Sequence, residues 1–443
     1  MTHMRLATPI GAAVAIAAVG AHHARLDARP VHQAVQAPRF EVEMLWPKPM
    51  PNHWLLGSTT GIAIDSRDHV FVINLPNTFT ARTEIGADAN PPIGECCRAS
   101  PNVLEYDPDG NLVGHWGGSG DGYQWPVANS GIAIDAKGDI WIGGVGGSDS
   151  HILKFTRDGK FVATIGKFTP PPAATTQAAA PDTAYQGVSR GRGGADTGGG
   201  GRGRAGCGGR GGRGRGAAPA PMVPPNSTSM ESFGGPAAIS FDAKGAEAFV
   251  ADGSRNHRVA VVDVASGAIK RYWGAYGSQP DDAAQPKHTA GSPPSKQFGV
   301  VACAVASKDG MVYVCDHSND RIQVFKADGS FVKEKVIAPN TLVDGSVWDV
   351  AFSRDAQQKY MYVADGSNNV IWVLDRQSLE VLTSFGDGGR VPGEFYGVHN
   401  IAVDSKGNLY TVETYQGKRL QKFTFKGVGP VTNKKVLWPG GGR

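Results

Sequence analysis

The stretch GIAIDAKGDIWIG, residues 131–143, decides the fold. Ile132 and Ile134 alternate with smaller residues, a turn follows at 135–138, and the alternation resumes at Ile140 and Ile142. Period-two alternation on both sides of a glycine turn is the signature of a β-hairpin. The same pattern recurs at GIAIDSRDHVFVI (61–73), AISFDAKGAEAFVAD (238–252), CAVASKDGMVYVCD (303–316), DVAFSRDAQQKYMYVAD (349–365) and NIAVDSKGNLYTVE (400–413). Each copy is followed by a second hairpin: VLEYDPDGNLV (103–113), ILKFTRDGKFV (152–162), VAVVDVASGAI (259–269), IQVFKADGSFV (322–332), IWVLDRQSLEV (371–381) and LQKFTFKG (420–427). Two hairpins make a four-stranded sheet, which cannot bury both faces alone, so the units must stack. Six units predict an all-β, six-bladed β-propeller over residues 39–427. A propeller closes radially and needs a fastener between its first and last sheets. The strand-like segment RFEVEMLW (39–46) precedes the first unit and is expected to complete the last blade.

Between the second and third units the spacing breaks. Residues 168–235 hold Thr, Pro, Ala, Gly and Arg with almost no large apolar side chain, and are expected to form a disordered insertion. Its centre, 189–216, has 15 Gly and 7 Arg in 28 residues, against one Asp. The chain of 443 residues carries net charge +4, so this segment's +6 leaves −2 for everything outside it. The basic balance therefore belongs to the insertion, and a nucleic-acid partner is not expected. With 40% hydrophobic and 19% charged residues, the chain is neither disordered as a whole nor collagen-like.

The first 21 residues read as a secretory signal peptide: Arg5, an apolar run from Leu6, and a small-residue end at Val19-Gly20-Ala21. A linker over 22–38 and a tail over 428–443 complete the organisation, and no further apolar run is long enough to span a membrane. The protein is thus expected to be secreted or periplasmic, where disulfides persist. Its cysteines are Cys96, Cys97, Cys207, Cys303 and Cys315, without a C-x-x-C pair. Cys303 and Cys315 lie on the two arms of one hairpin, but spacing does not settle pairing. Five is odd, so at least one thiol is left over.

Inner strands of a propeller line its channel, and ligands bind where loops meet at the mouth. The residue before each inner strand should therefore contribute to one ring: Thr60, Ser130, Ala237, Ala302, Trp348 and His399. The G-I-A-[IV]-D units, with R-I-Q-V-F-K and L-Q-K-F-T, resemble NHL repeats. With the F-E-V-E-M-L-W lead-in and the ending V-H-N-I-A-V-D-S-K-G-N-L-Y, the chain is similar to the peptidyl-α-hydroxyglycine α-amidating lyase family. That resemblance implies zinc held by three channel-facing histidines, with a tyrosine, two arginines and a nearby calcium. Here the zinc positions fall on Ser130, Ala302 and His399, the tyrosine on Ser254, and the arginines on Leu75 and His317. Serine and alanine do not replace imidazole, so zinc and the lyase reaction are not expected. The calcium positions correspond to the carbonyls of Ile62 and Ile132 and the side chain of Asn400, and calcium remains possible.

The expected function is a binding scaffold for a protein, peptide or glycan, with Trp348, Ser130 and Thr60 at the ligand. The alternative is a metal-dependent lyase or hydrolase with an altered site, using His399 and the adjacent Asp316 and His317 as acid and base. Asp252, Asp316, Asp365 and Glu413 recur at one position in four blades, which favours structural hydrogen bonding for Asp316.

Overall fold

The computed structural model describes residues 34–79, 84–170, 222–283, 288–431, 435 and 437–439. The segment expected to be a signal peptide, the Arg/Gly-rich centre of the insertion and Cys207 lie outside these residues. Six four-stranded antiparallel sheets form the blades of a propeller. Their inner strands are Ser58–Ile64, Asn129–Ile134, Ala238–Phe241, Val301–Ala306, Asp349–Phe352 and Val398–Val403. Among the described residues no helix is long and apolar enough to cross a membrane.

The repeated motif has local physical causes. Its aspartate closes the first turn: Asp135 Oδ1 accepts from the backbone N–H of Lys137 and Asp139, at 2.9 and 3.0 Å. Asp404 does the same for Lys406 and Asn408. Its leading glycine lets neighbouring inner strands approach around the channel. A Cβ on Gly61 would sit 2.3 Å from the carbonyl oxygen of Ser130, and one on Gly131 would sit 2.7 Å from that of Ala237. The core is divided among the blade interfaces, each with its own apolar cluster. Aromatic pairs bridge these seams, such as Trp141 with Phe241 at 5.3 Å and Tyr313 with Phe352 at 5.0 Å.

The lead-in closes the ring. Gln36–Val42 pairs antiparallel with Arg419–Pro430, placing Phe40 opposite Phe425 at the outer edge of the sixth sheet. The C-terminal residues add a second fastening: Val42 N–H donates to Leu437 O and Gly386 N–H to Lys435 O, both at 2.7 Å. Residues 222–235, read from sequence as insertion, are held against the blades. Val223 N–H donates to Gly147 O, Phe233 is 2% exposed, and the Arg258 guanidinium caps the carbonyls of Ser227, Ser229 and Ser232. Two well-placed apolar anchors and a buried arginine order a segment whose composition alone reads as loop.

Cys303 and Cys315 are opposite each other in the fourth blade and form a disulfide; Cys96 and Cys97 form another. The first spans 12 residues of sequence, so it restricts the unfolded chain. Replacing both Cys303 and Cys315 by Ser is expected to lower stability by about 2–3 kcal/mol in urea unfolding. Replacing Cys96 and Cys97, which close almost no loop, is expected to change it by less than about 1 kcal/mol.

Candidate functional site

At the mouth, the segments entering the inner strands surround a cavity of about 180 Å³. It brings together Ser130, Ser254, Ala302, His317 and His399, which are five of the six positions carried over from the lyase resemblance. Leu75, the sixth, is not on its wall and is buried at 3% exposure. Ala237, Trp348, Asp344 and Tyr415 complete much of the lining. Thr60 does not line this cavity: it is fully buried, and its hydroxyl donates to Asn129 O at 2.8 Å.

Trp348 packs against both histidines. Its ring lies 5.6 Å from that of His317 and 5.3 Å from that of His399, centroid to centroid, and 6.0 Å from Tyr415. Its Nε1 donates to Gly345 O at 2.8 Å, and the residue is 6% exposed. Trp348 is therefore a fixed wall rather than an open stacking surface.

Each histidine is oriented through Nδ1. His317 Nδ1 bonds to the backbone carbonyl of Asp344, an acceptor only, so this nitrogen carries the proton. His399 Nδ1 bonds to Asn400 Oδ1, and the Asn400 amide nitrogen donates to Asp349 Oδ2 at 3.1 Å. In both neutral rings the lone pair thus sits on Nε2. Burial lowers the His317 pKa; for His399 burial, aided by the neighbouring His317, pushes it down to about 4. Both imidazoles are neutral at pH 7.

Asp316 and His317 are adjacent in sequence but serve different places. The Asp316 carboxylate is fully buried, accepting from Gly299 N–H, Asn319 Nδ2 and Arg321 Nε at 2.9, 2.9 and 2.8 Å. Asp252 and Glu413 make the equivalent bonds in their own blades, each to an arginine at the start of the third strand and to an incoming backbone N–H. Asp365 substitutes Trp372 Nε1 and Asn368 for the arginine. In blades three, four and six the recurring carboxylate ties the entry loop to the sheet.

Deeper in the channel a second cavity, of about 270 Å³, contains Ile62, Ile132, Asn400 and Asp349. The three residues expected at a calcium ion do meet here. There the Asn400 Oδ1 bonds to His399 Nδ1, and its amide nitrogen donates to Asp349 Oδ2. Asp349 was not anticipated from sequence. Its carboxylate also accepts from Val350 and Ile401 N–H, at 2.9 and 3.0 Å, and burial pushes its pKa up to about 6. The available signal was an acid at a strand position where other blades carry Gly, Ala, Cys or Asn. Asp344 and Tyr415, joined by a 2.9 Å hydrogen bond, come from loops with no repeat pattern to mark them.

No family model matches the chain, and no curated protein matches it. Among solved structures, a virginiamycin B lyase from Staphylococcus aureus shares 11% identity, covering 88% of this chain and 90% of that one, with a TM-score of 0.42. A streptogramin B lyase shares 11%, covering 89% and 100%, at 0.45. A protein of unknown function from Bacteroides thetaiotaomicron shares 12%, covering 89% and 76%, at 0.46. At these levels none of the likenesses assigns the chain an activity or a family.

Proposed function

We propose that this protein is an exported β-propeller that binds a protein, peptide or glycan at its channel mouth, without the zinc lyase chemistry of the family it resembles. The observation that carries this reading is the mouth cavity itself. Five carried-over positions converge on it, yet two of the three zinc positions are Ser130 and Ala302. His317 and His399 supply two imidazoles, short of the three protein ligands typical of catalytic zinc. At about 180 Å³, the cavity is smaller than the roughly 300–1,000 Å³ of pockets that enclose a drug-sized ligand. It suits one side chain or sugar-sized group of a larger partner, met by the His317 imidazole and the Ser130 and Ser254 hydroxyls.

Arrays of defined peptides and glycans test this with wild type and a His317→Ala/His399→Ala variant. Wild type is expected to retain one probe class, and the variant to lose at least tenfold in affinity for it. Equal retention by both would overturn the site. Stoichiometric zinc surviving dialysis, with turnover of a peptidyl-α-hydroxyglycine, would overturn the reading in favour of the lyase. A second reading, acid–base catalysis by the same pair, is favoured by one observation: both rings are fixed through Nδ1 with the basic nitrogen on Nε2.

A further inference from the structure

A further cavity lies away from the channel mouth, at the far ends of the inner strands of blades five and six. It measures about 580 Å³, within the range of sites that enclose a small molecule. Its floor is aromatic and apolar: Tyr360 and Tyr362 from blade five, with Phe425 and Pro38 from the closing strands of blade six. Its rim carries three cations, Arg354, Lys359 and Lys406, all exposed.

The polar groups around it are unevenly used. Two carboxylates, Asp355 and Asp375, also line the cleft, but both are held by their own turns. Asp355 accepts from Lys359 N–H and the Ser353 hydroxyl, and Asp375 from Ser378 N–H. Among the described residues, Arg354 donates only its Nε, to Asp404 O at 2.9 Å, and Lys359 lies over the Tyr360 ring at 5.4 Å. Tyr362 is 1% exposed as a residue and lines the cleft.

We propose that this cleft between blades five and six binds a small aromatic anion, its ring on Tyr360, Tyr362 and Phe425 and its acid group between Arg354, Lys406 and the Tyr362 hydroxyl. An aromatic floor takes a flat apolar body, and a cationic rim fixes the charged end. The site is separate from the channel mouth and does not depend on the function proposed there. Arg354 also borders the deeper channel cavity, so the ligand's charged end would lie towards the axis.

Fluorescence titration of the full chain with 8-anilinonaphthalene-1-sulfonate, an aromatic sulfonate, tests this. One saturable site is expected in wild type. Arg354→Gln/Lys406→Glu, both at exposed positions, is expected to weaken binding at least tenfold with unchanged circular dichroism and Tm. Tyr362→Phe is expected to weaken it several-fold, and the uncharged analogue N-phenyl-1-naphthylamine to bind wild type at least tenfold more weakly than the sulfonate. Equal affinity in the charge variant, equal affinity for the neutral analogue, or binding that does not saturate would each overturn the proposal.

Discussion

Asp252→Ala is expected to lower the unfolding free energy by about 3–5 kcal/mol, the cost of stranding a buried charge. Asp252 and Arg258 are both fully buried, with Arg258 Nε 2.8 Å from Asp252 Oδ2. The other guanidinium hydrogen bonds go to the carbonyls of Ser227, Ser229 and Ser232, which satisfy its N–H groups but carry no charge. Removing Asp252 also removes the acceptor for Gly234 N–H and Asn256 Nδ2, loosening the segment that enters blade three. The fourth blade provides the contrast. Arg321 has a second carboxylate, Glu334, 3.5 Å from Nη1, so Asp316→Ala is expected to cost less. Urea unfolding of the two variants checks the ordering. A double variant, Asp252→Ala/Arg258→Met, should recover part of the loss by removing the orphaned charge. A cost below about 1 kcal/mol for Asp252→Ala, or equal costs in both blades, would refute this accounting.

Asp349→Asn is expected to change how stability depends on pH. Burial raises the Asp349 pKa from its ordinary 3.8 to about 6. Between these values the folded chain holds a proton that the unfolded chain has released, so stability falls as pH rises. The contribution is fully present below about pH 4 and lost as pH passes through about 6. Two units correspond to about 3 kcal/mol. Asn does not titrate, so wild type should lose about 3 kcal/mol relative to Asp349→Asn between pH 4 and pH 7. His399 works in the opposite sense. With its pKa depressed from 6.5 to about 4, its contribution is present above 6.5 and lost as pH falls through 4. Both chains keep His399, so its effect largely cancels in the comparison. Urea unfolding at pH 4, 5, 6 and 7 measures the difference, and a flat difference would show that Asp349 titrates normally.

The propeller was legible because one physical pattern is written six times. The Asp of the GIAID repeat caps its turn, the glycine admits the next strand, and the alternating apolar residues fill two seams; each role leaves a residue type in place. The fastening strand was legible as an unpaired apolar segment ahead of the first repeat. The site was legible where it shares the repeat's register, as for Ser130, Ala302, Trp348 and His399, and through the family resemblance for Ser254 and His317. Thr60 occupies the same register, yet its hydroxyl is taken by a neighbouring carbonyl, which no periodicity reports. Asp344 and Tyr415 come from loops that vary from blade to blade. The ordering of 222–235 depended on Arg258, a contact across sequence that local composition does not carry. The Asn400–Asp349 bond was hidden for the same reason: it joins adjacent blades.

The pairing of Gln36–Val42 with Arg419–Pro430 has a consequence for how the molecule assembles. The contacts within each blade are local and can form as the chain emerges, but this one joins the first described strand to the last. Closing a loop that encloses nearly the whole chain carries an entropic cost on the order of 5 kcal/mol before any contact repays it. The ring is therefore expected to shut late, after the other blades have formed, and to fold slowly for its size. Until then the sixth sheet offers a bare edge along Arg419–Pro430, to which a second chain's Gln36–Val42 could add as readily as its own. Dilution during refolding favours the monomer, and crowding favours exchange of that strand between molecules.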